Sequence, residues 1–199
     1  TVLFEELVAD ADVLVENYRP GTMEAFGLGY DDIREVNPEI VYCSISGFGQ
    51  TGPYAEYPAL DIIIQAFAGV MSITGPEDGQ PYRAGPPIAD VSGSMYAAQS
   101  VLAALFERER TGEGTSIDVS MAESMISWLT VRAGWSFGTG EPYPRKGNEL
   151  DEFVPYGVSK CAAGYLAICA VQYHHWDRLA SPICRPALGD SDRVETAAS

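Results

Sequence analysis

Apolar positions along this chain alternate between two rhythms, one near 3.6 residues and one near 2. Leu3, Phe4, Leu7 and Val8 share one side of a helical spiral and predict a helix at the start. DVLVEN, residues 12–17, is a short apolar run between polar residues and predicts a buried strand. Residues 22–36 return to helical spacing, broken around GLGYDD, where Asp31 and Asp32 begin a second piece. EIVYCSISGFG, residues 39–49, is rich in β-branched side chains and ends at glycine, as a strand does. Residues 61–73 are densely apolar and predict a buried helix. In the next helix Met95, Ala98, Leu102, Leu105 and Phe106 form one stripe, which stops at Gly112 and Gly114. TSIDVSM, residues 115–121, alternates like a strand, and AESMISWLTVRAGWSF goes back to helix. The last third predicts a hairpin, FVPYGVSK and YLAICAV joined at CAAG, then a short helix around HHWDRLA.

Strands that alternate with helices predict an α/β domain: a largely parallel sheet with flanking helices, Rossmann-like in the large domain, plus part of a smaller α+β domain. Two stretches rich in Gly and Pro, residues 49–59 and 74–87, read as long loops. Residues 138–152 are rich in charge, Pro and Gly and read as a linker. The expected division is residues 1–140 for the large-domain portion and 141–199 for the linker and part of the smaller domain.

Composition narrows the partners. Twenty-eight acidic against twelve basic residues leave a formal net charge of -16. That balance argues against nucleic acid or an anionic membrane as a partner. It leaves room for a phosphorylated small molecule, because a few local basic side chains can hold one. No apolar run approaches the ~20 residues of a membrane span, and no signal peptide is visible. Cys43, Cys161, Cys169 and Cys184 make no CxxC pair, and His174 and His175 are adjacent, so no zinc site is expected. Cys43 and Cys169 lie in strand-like apolar runs and read as small buried hydrophobes in a reducing, cytoplasmic setting. The chain opens without Met in what looks like mid-helix and trails off in RPALGDSDRVETAAS. A trimmed mature chain fits that pattern; a fragment of a longer polypeptide fits it better.

Two residues stand where α/β folds gather their ligands, at strand ends and the loops that follow. Arg19 follows a strand and precedes Pro20 and Gly21. Proline biases Arg19 toward an extended backbone and Gly21 permits a tight turn, a stiff mount for a guanidinium facing phosphate or carboxylate. An ordinary surface arginine in a turn fits the same letters. Asp90 follows the apolar PPIA and has Ser92, Gly93 and Ser94 close behind it. It fits a helix N-cap. It fits equally an unhindered carboxylate beside helix N-terminal N–H donors, able to act as a nucleophile.

Three segments carry a resemblance. VENYRPG is similar to an ENFRPG-like element, and NPEIVYCSISGFGQTGPY to an NPRLVYCSISGFGQTGP-like strand and loop. IADVSGSMYAAQSVLAALFERERTGEGTSIDVSM follows a pattern of the xxDxxxGxxAAxGILAALxxRxxTGxGQxVDVSL kind. Together they resemble the class III CoA-transferase family (CaiB/BaiF type), which includes formyl-CoA transferase and α-methylacyl-CoA racemases. The likeness is close to about Met125 and looser through VPYGVSKCAAGYLAICAVQYHHWDRL.

The resemblance implies that Asp90 is the catalytic aspartate and that Arg19, with Pro20 and Gly21, helps hold CoA phosphates. It implies acyl-CoA and a carboxylic acid as substrates, no permanently bound cofactor, no metal, and an aspartyl-CoA thioester intermediate. It also implies interlocked homodimers, and full-length members that extend beyond this chain at both ends. Racemases of the family carry a His–Asp dipeptide after the GQTGP loop; here it is Leu60–Asp61. Leucine exchanges no proton, so transfer is expected over epimerisation, with Asp61 a helix-start or structural carboxylate. The alternatives are a racemase or other acyl-CoA-processing member, and an inactive truncated domain. The family's glycine-rich loop is represented by GNELDEFVPYG, which keeps only the outer glycines.

Overall fold

The computed structural model describes residues 2–182; Cys184 and the polar tail lie outside the described residues. Three strands, β1 (Val13–Glu16), β2 (Val41–Ser46) and β3 (Thr115–Ser120), form a parallel sheet in the order β1-β2-β3. The register pairs Val13 with Val41 on one side and Val41 with Thr115 on the other. Parallel strands need crossovers that return the chain to the starting edge, and helices supply them. The predicted α/β class is therefore the observed one.

Helices α1 (Val2–Ala9), α2 (Thr22–Ala25) and α3 (Tyr30–Val36) cover one face. Val8, Met23 and Ile33 pack there with Leu14, Ile40 and Tyr42. The break predicted around GLGYDD separates α2 from α3, and the Gly29 N–H donates to the Asp32 carboxylate at 3.1 Å. On α1 the buried side is Phe4 and Val8, whereas Leu3 and Leu7 are exposed.

The other face receives the long helix α5 (Ile88–Thr111), and here the expected contact surface is reversed. The predicted stripe points outward: Met95 is 51%, Leu102 67% and Phe106 69% exposed. Ala89, Ser92, Gly93 and Ala97 form the buried side instead. Small residues let the helix axis come close to β2 and β3. A Cβ on Gly93 would already stand 3.0 Å from Met121 Cγ. Near the C-terminus of α5, Arg108 joins the Asp12 carboxylate at 2.7 Å and donates to the Glu39 carbonyl at 3.2 Å.

Helix α4 (Asp61–Phe67) is shorter and less buried than expected for residues 61–73. Gly69 at φ 85° takes the backbone out of the helix, and a single 3-10 turn, Met71–Ile73, follows. Ile64 and Gln65 are buried while Ile62 and Ile63 are about half exposed. The helix expected after β3 is likewise divided into α6 (Met121–Ile126), a 3-10 turn and α7 (Val131–Thr139), because Thr130 adopts φ 43°. Ile64, Ala68, Ala89, Met121, Ala122 and Met125 make a further apolar cluster.

The chain forms two compact units. The first runs to Thr74 and resumes over Pro81–Pro144; the second takes Gly75–Gln80 and the chain from Arg145 onward. Within the second unit, Lys146 bridges Glu77 at 3.2 Å and Asp151 at 2.8 Å, which ties the 75–80 loop to the later segment. This unit holds the expected hairpin, β4 (Tyr156–Cys161) and β5 (Gly164–Cys169), and helix α8 (Tyr173–Ala180). Cys43 is buried as expected, and burial pushes its thiol pKa up, with Glu16 and Asp118 adding to the effect. Cys169 is exposed, contrary to expectation, because among the described residues β5 pairs only with β4 and most of the hairpin is exposed.

Two glycines make opposite predictions. A Cβ on Gly114 would overlap the Ile40 carbonyl oxygen, which is backbone and cannot rotate away. Gly114→Ala is expected to destabilise by about 1–3 kcal/mol. Gly134, inside α7, has open space around its Cβ position. Gly134→Ala is expected to stabilise by roughly 0.5–1 kcal/mol. Thermal melts of the two variants should move in opposite directions.

Candidate functional site

In a parallel sheet every strand ends on the same edge, and a cleft of about 390 Å³ opens there. It is lined by Asn17, Tyr18, Arg19 and Pro20 after β1, by Ser46 and Gly47 at the end of β2, and by Met121 after β3. Ala55, Tyr57, Pro58, Ala59 and Leu60 of the long loop, with Asp61 and Asp90, complete it. This volume is within the range of small-molecule sites.

The turn after β1 is held by hydrogen bonds among its own residues. The Glu16 carboxylate, buried at the strand end, accepts the Tyr18 N–H at 2.7 Å. Thr22 N–H donates to the Arg19 carbonyl at 3.0 Å, and Gly21 at φ 81° turns the chain into α2. Gly21 thus shapes the turn and stands outside the lining, while Arg19 and Pro20 are part of it. Arg19 is exposed and forms no ion pair with any described carboxylate.

The wall from β2 depends on close approach. A Cβ on Gly47 would overlap the Ala59 Cβ, so glycine lets the 49–60 loop fold back over the strand end. The Gly47 carbonyl accepts the Ala122 N–H at 3.0 Å and anchors α6 beside it. Aromatic edge contacts to α4, Phe48 to Phe67 at 4.9 Å and Tyr54 to Phe67 at 5.1 Å between ring centroids, fasten this stretch, and Tyr54 meets Tyr57 at 5.6 Å inside the loop. The Ser46 hydroxyl is buried without a hydrogen-bond partner among the described residues, a feature with no sequence signal.

Asp90 sits in the first turn of α5 but is not its cap; the helix begins after Pro87. The capping role belongs to Asp61, 29 positions earlier on α4, whose Oδ1 accepts the Ala89 N–H at 2.8 Å. Asp61 Oδ2 accepts from Gln65 Nε2 at 2.7 Å, and Gln65 Oε1 accepts the Ala84 N–H at 2.9 Å. With the N-terminal donor occupied from outside, the Asp90 side chain is released from capping. Its exposed carboxylate takes no hydrogen bond from the described residues. Partial desolvation raises its pKa above the ordinary aspartate value, and the neighbouring Asp61 charge raises it further. The first-turn position works the other way and favours the anion.

The cleft therefore brings Asp90, Arg19 and Pro20 onto one surface. An undonated carboxylate can attack an electrophilic carbonyl, and an unpaired guanidinium can hold a phosphate or carboxylate. Among the described residues no group of three or more His, Cys, Asp or Glu is arranged to hold a metal ion. No described helix is long and apolar enough to cross a membrane.

The chain is similar to several known proteins. The acetyl-CoA:oxalate CoA-transferase of Acetobacter aceti is 40% identical over 193 residues, covering 96% of this chain and 49% of the relative. The succinyl-CoA:mesaconate CoA-transferase of Haloarcula hispanica is 42% identical over 190 residues, covering 93% and 48%. The crystal structure of a CAIB/BAIF family protein from Brucella suis superposes with a TM-score of 0.87 at 34% identity, covering 96% of this chain and 51% of that one. The chain spans about half the length of the curated relatives it matches. The family model for CoA-transferase family III matches residues 1–199 from end to end, and this chain belongs to CoA-transferase family III.

Proposed function

We propose that the full-length protein transfers CoA from an acyl-CoA thioester to a carboxylic acid, with Asp90 as the carboxylate that carries CoA between them. The observation that supports this best is an Asp90 carboxylate that takes no hydrogen bond from the described residues, in a cleft shared with an Arg19 that pairs with no described carboxylate. Relatives whose names include oxalate, mesaconate and glutarate make small dicarboxylates the first acceptors to assay.

In this reading an Asp90 oxygen attacks the thioester carbonyl; a C–O bond forms, the C–S bond breaks, and CoA leaves as the thiolate. The product is a mixed anhydride of Asp90 and the donor acid. The thiolate then attacks the Asp90 carbonyl, releases the donor carboxylate and forms the aspartyl-CoA thioester. The acceptor carboxylate reverses both steps on its own behalf and restores Asp90. No proton has to move, so the site needs an exposed anion and a stabilised oxyanion rather than a base. Arg19 serves the CoA phosphates as a fixed, always-charged donor. The resemblance extends this reading to a homodimer, which sedimentation of the full-length protein tests.

Asp90→Asn is expected to abolish transfer, and hydroxylamine trapping followed by mass spectrometry should label Asp90 in the wild type alone. Retention of more than about a tenth of wild-type turnover would remove the nucleophile assignment, since a lost covalent nucleophile accounts for far larger effects. The same variant should be at least as stable. A raised pKa means the folded state binds more protons than the unfolded between the ordinary value of 3.8 and the raised one. Asp90's favourable contribution is thus present at low pH and lost as pH rises through its folded value. At neutral pH the ionised side chain disfavours folding, and asparagine relieves it; a lower melting temperature for Asp90→Asn would mark the carboxylate as structural.

Arg19→Ala is expected to weaken CoA binding by roughly tenfold to a hundredfold, the loss of one charge-assisted hydrogen bond, with little change in melting temperature. Calorimetric titration measures it, and unchanged affinity would return Arg19 to an ordinary surface turn.

Leu60 lines the cleft and is 74% exposed, with no group able to carry a proton. Incubation with a 2-methylacyl-CoA in deuterated water should therefore leave the α-proton in place. Rapid deuterium uptake with loss of stereochemistry would favour a racemase instead.

A further inference from the structure

We propose that Asp61, oriented by Gln65, is the positioning residue for the Asp90 carboxylate, joining α4 to the first turn of α5 through a three-bond relay. This rests on the reading of Asp90 as the group that takes CoA.

Three hydrogen bonds make the relay. Asp61 Oδ1 accepts from Ala89 N–H at 2.8 Å, Asp61 Oδ2 from Gln65 Nε2 at 2.7 Å, and Gln65 Oε1 from Ala84 N–H at 2.9 Å. Both outer partners are backbone donors, and an ionised carboxylate only accepts. The Gln65 amide therefore has one orientation that satisfies all three bonds. Gln65 is fully buried, so no water can replace a lost partner at low cost. The relay clamps the segment from Ala84 to Ala89 at both ends, and Asp90 is the next residue. That segment contains Gly85, Pro86 and Pro87, which have few backbone hydrogen bonds of their own. Gln65 and Asp61 are one helical turn apart, so α4 presents both as a unit.

The logic of the donors suggests an exchange. In Asp61→Asn, the introduced Nδ2 faces Gln65 Nε2; turning the Gln65 amide relieves that conflict only by setting Nε2 against the Ala84 N–H. The double variant Asp61→Asn with Gln65→Glu removes the conflict. The amide introduced at position 61 donates to one oxygen of the carboxylate introduced at position 65, and the other oxygen accepts the Ala84 N–H. All three bonds return with donor and acceptor exchanged in the middle link.

The test compares wild type, Asp61→Asn and the double variant in the full-length protein. It uses CoA-transfer kinetics, CoA titration and amide exchange over residues 84–90. Asp61→Asn should lower kcat by about tenfold to a hundredfold through a misplaced reacting group, with CoA affinity unchanged. It should also speed exchange at Ala84 and Ala89. The double variant should return kcat to within about threefold of wild type and slow exchange again, as coupled neighbours do. Full activity in Asp61→Asn, or a double variant no better than the single, overturns the relay. Should Asp61→Asn not fold, Gln65→Met breaks the same links at similar volume, and unchanged kcat there overturns the proposal equally. If the wild type transfers no CoA, the reading of Asp90 fails by itself. Exchange still decides the relay: faster in the single variant and restored in the double supports it, and no change overturns it.

Discussion

The structure depends on one constraint: β2 is hydrogen-bonded in parallel on both sides. A strand paired on both edges and covered on both faces favours apolar side chains, and VYCSI supplies them at every position but the small Ser44. Tyr42 faces the cluster under α1–α3, while Cys43 faces Ala97 of α5. Because both neighbours run in the same direction, the chain leaves β1, β2 and β3 at one edge. Each exit is followed by a loop or helix start, and those exits become the walls of the cleft. A site drawn from residues more than 70 positions apart needs no further device to assemble it.

At that edge two requirements oppose each other. The proposed carboxylate attack calls for an Asp90 free of donors, and folding prefers carboxylates that are paired or solvated. The helix could have satisfied its N-terminus with Asp90 itself. Instead Asp61 satisfies Ala89 from another helix, and its charge makes ionisation of Asp90 less favourable. A group held in this way lowers stability and is typical of functional sites. The Gly47–Ala59 approach has similar logic, since the missing Cβ brings the loop over the strand end.

Helix α5 shows how close packing overrides periodicity. Its large apolar residues form the stronger sequence stripe, yet Ala89, Ser92, Gly93 and Ala97 meet the sheet. A helix lying against two strands and Met121 has room for small side chains only. The exposed stripe of Met95, Leu102 and Phe106 is not covered by any described residue.

What the sequence determined by itself was local. Strand runs, helix spacing and glycine punctuation located β1, β2, β3, the hairpin and the α2–α3 break to within three residues, because those signals act between near neighbours. The three quoted motifs added the family and pointed to Asp90 and Arg19, which line one cleft. Which face of α5 is buried, where α4 stops and what caps α5 were decided only by tertiary structure. Each depends on a partner distant in the chain: Met121 for Gly93, Asp61 for Ala89, Gln65 for Ala84. Local patterns record a residue's own preference for helix, strand or turn; hydrogen-bond satisfaction and close packing are properties of pairs, and these pairs exist only once the chain is folded.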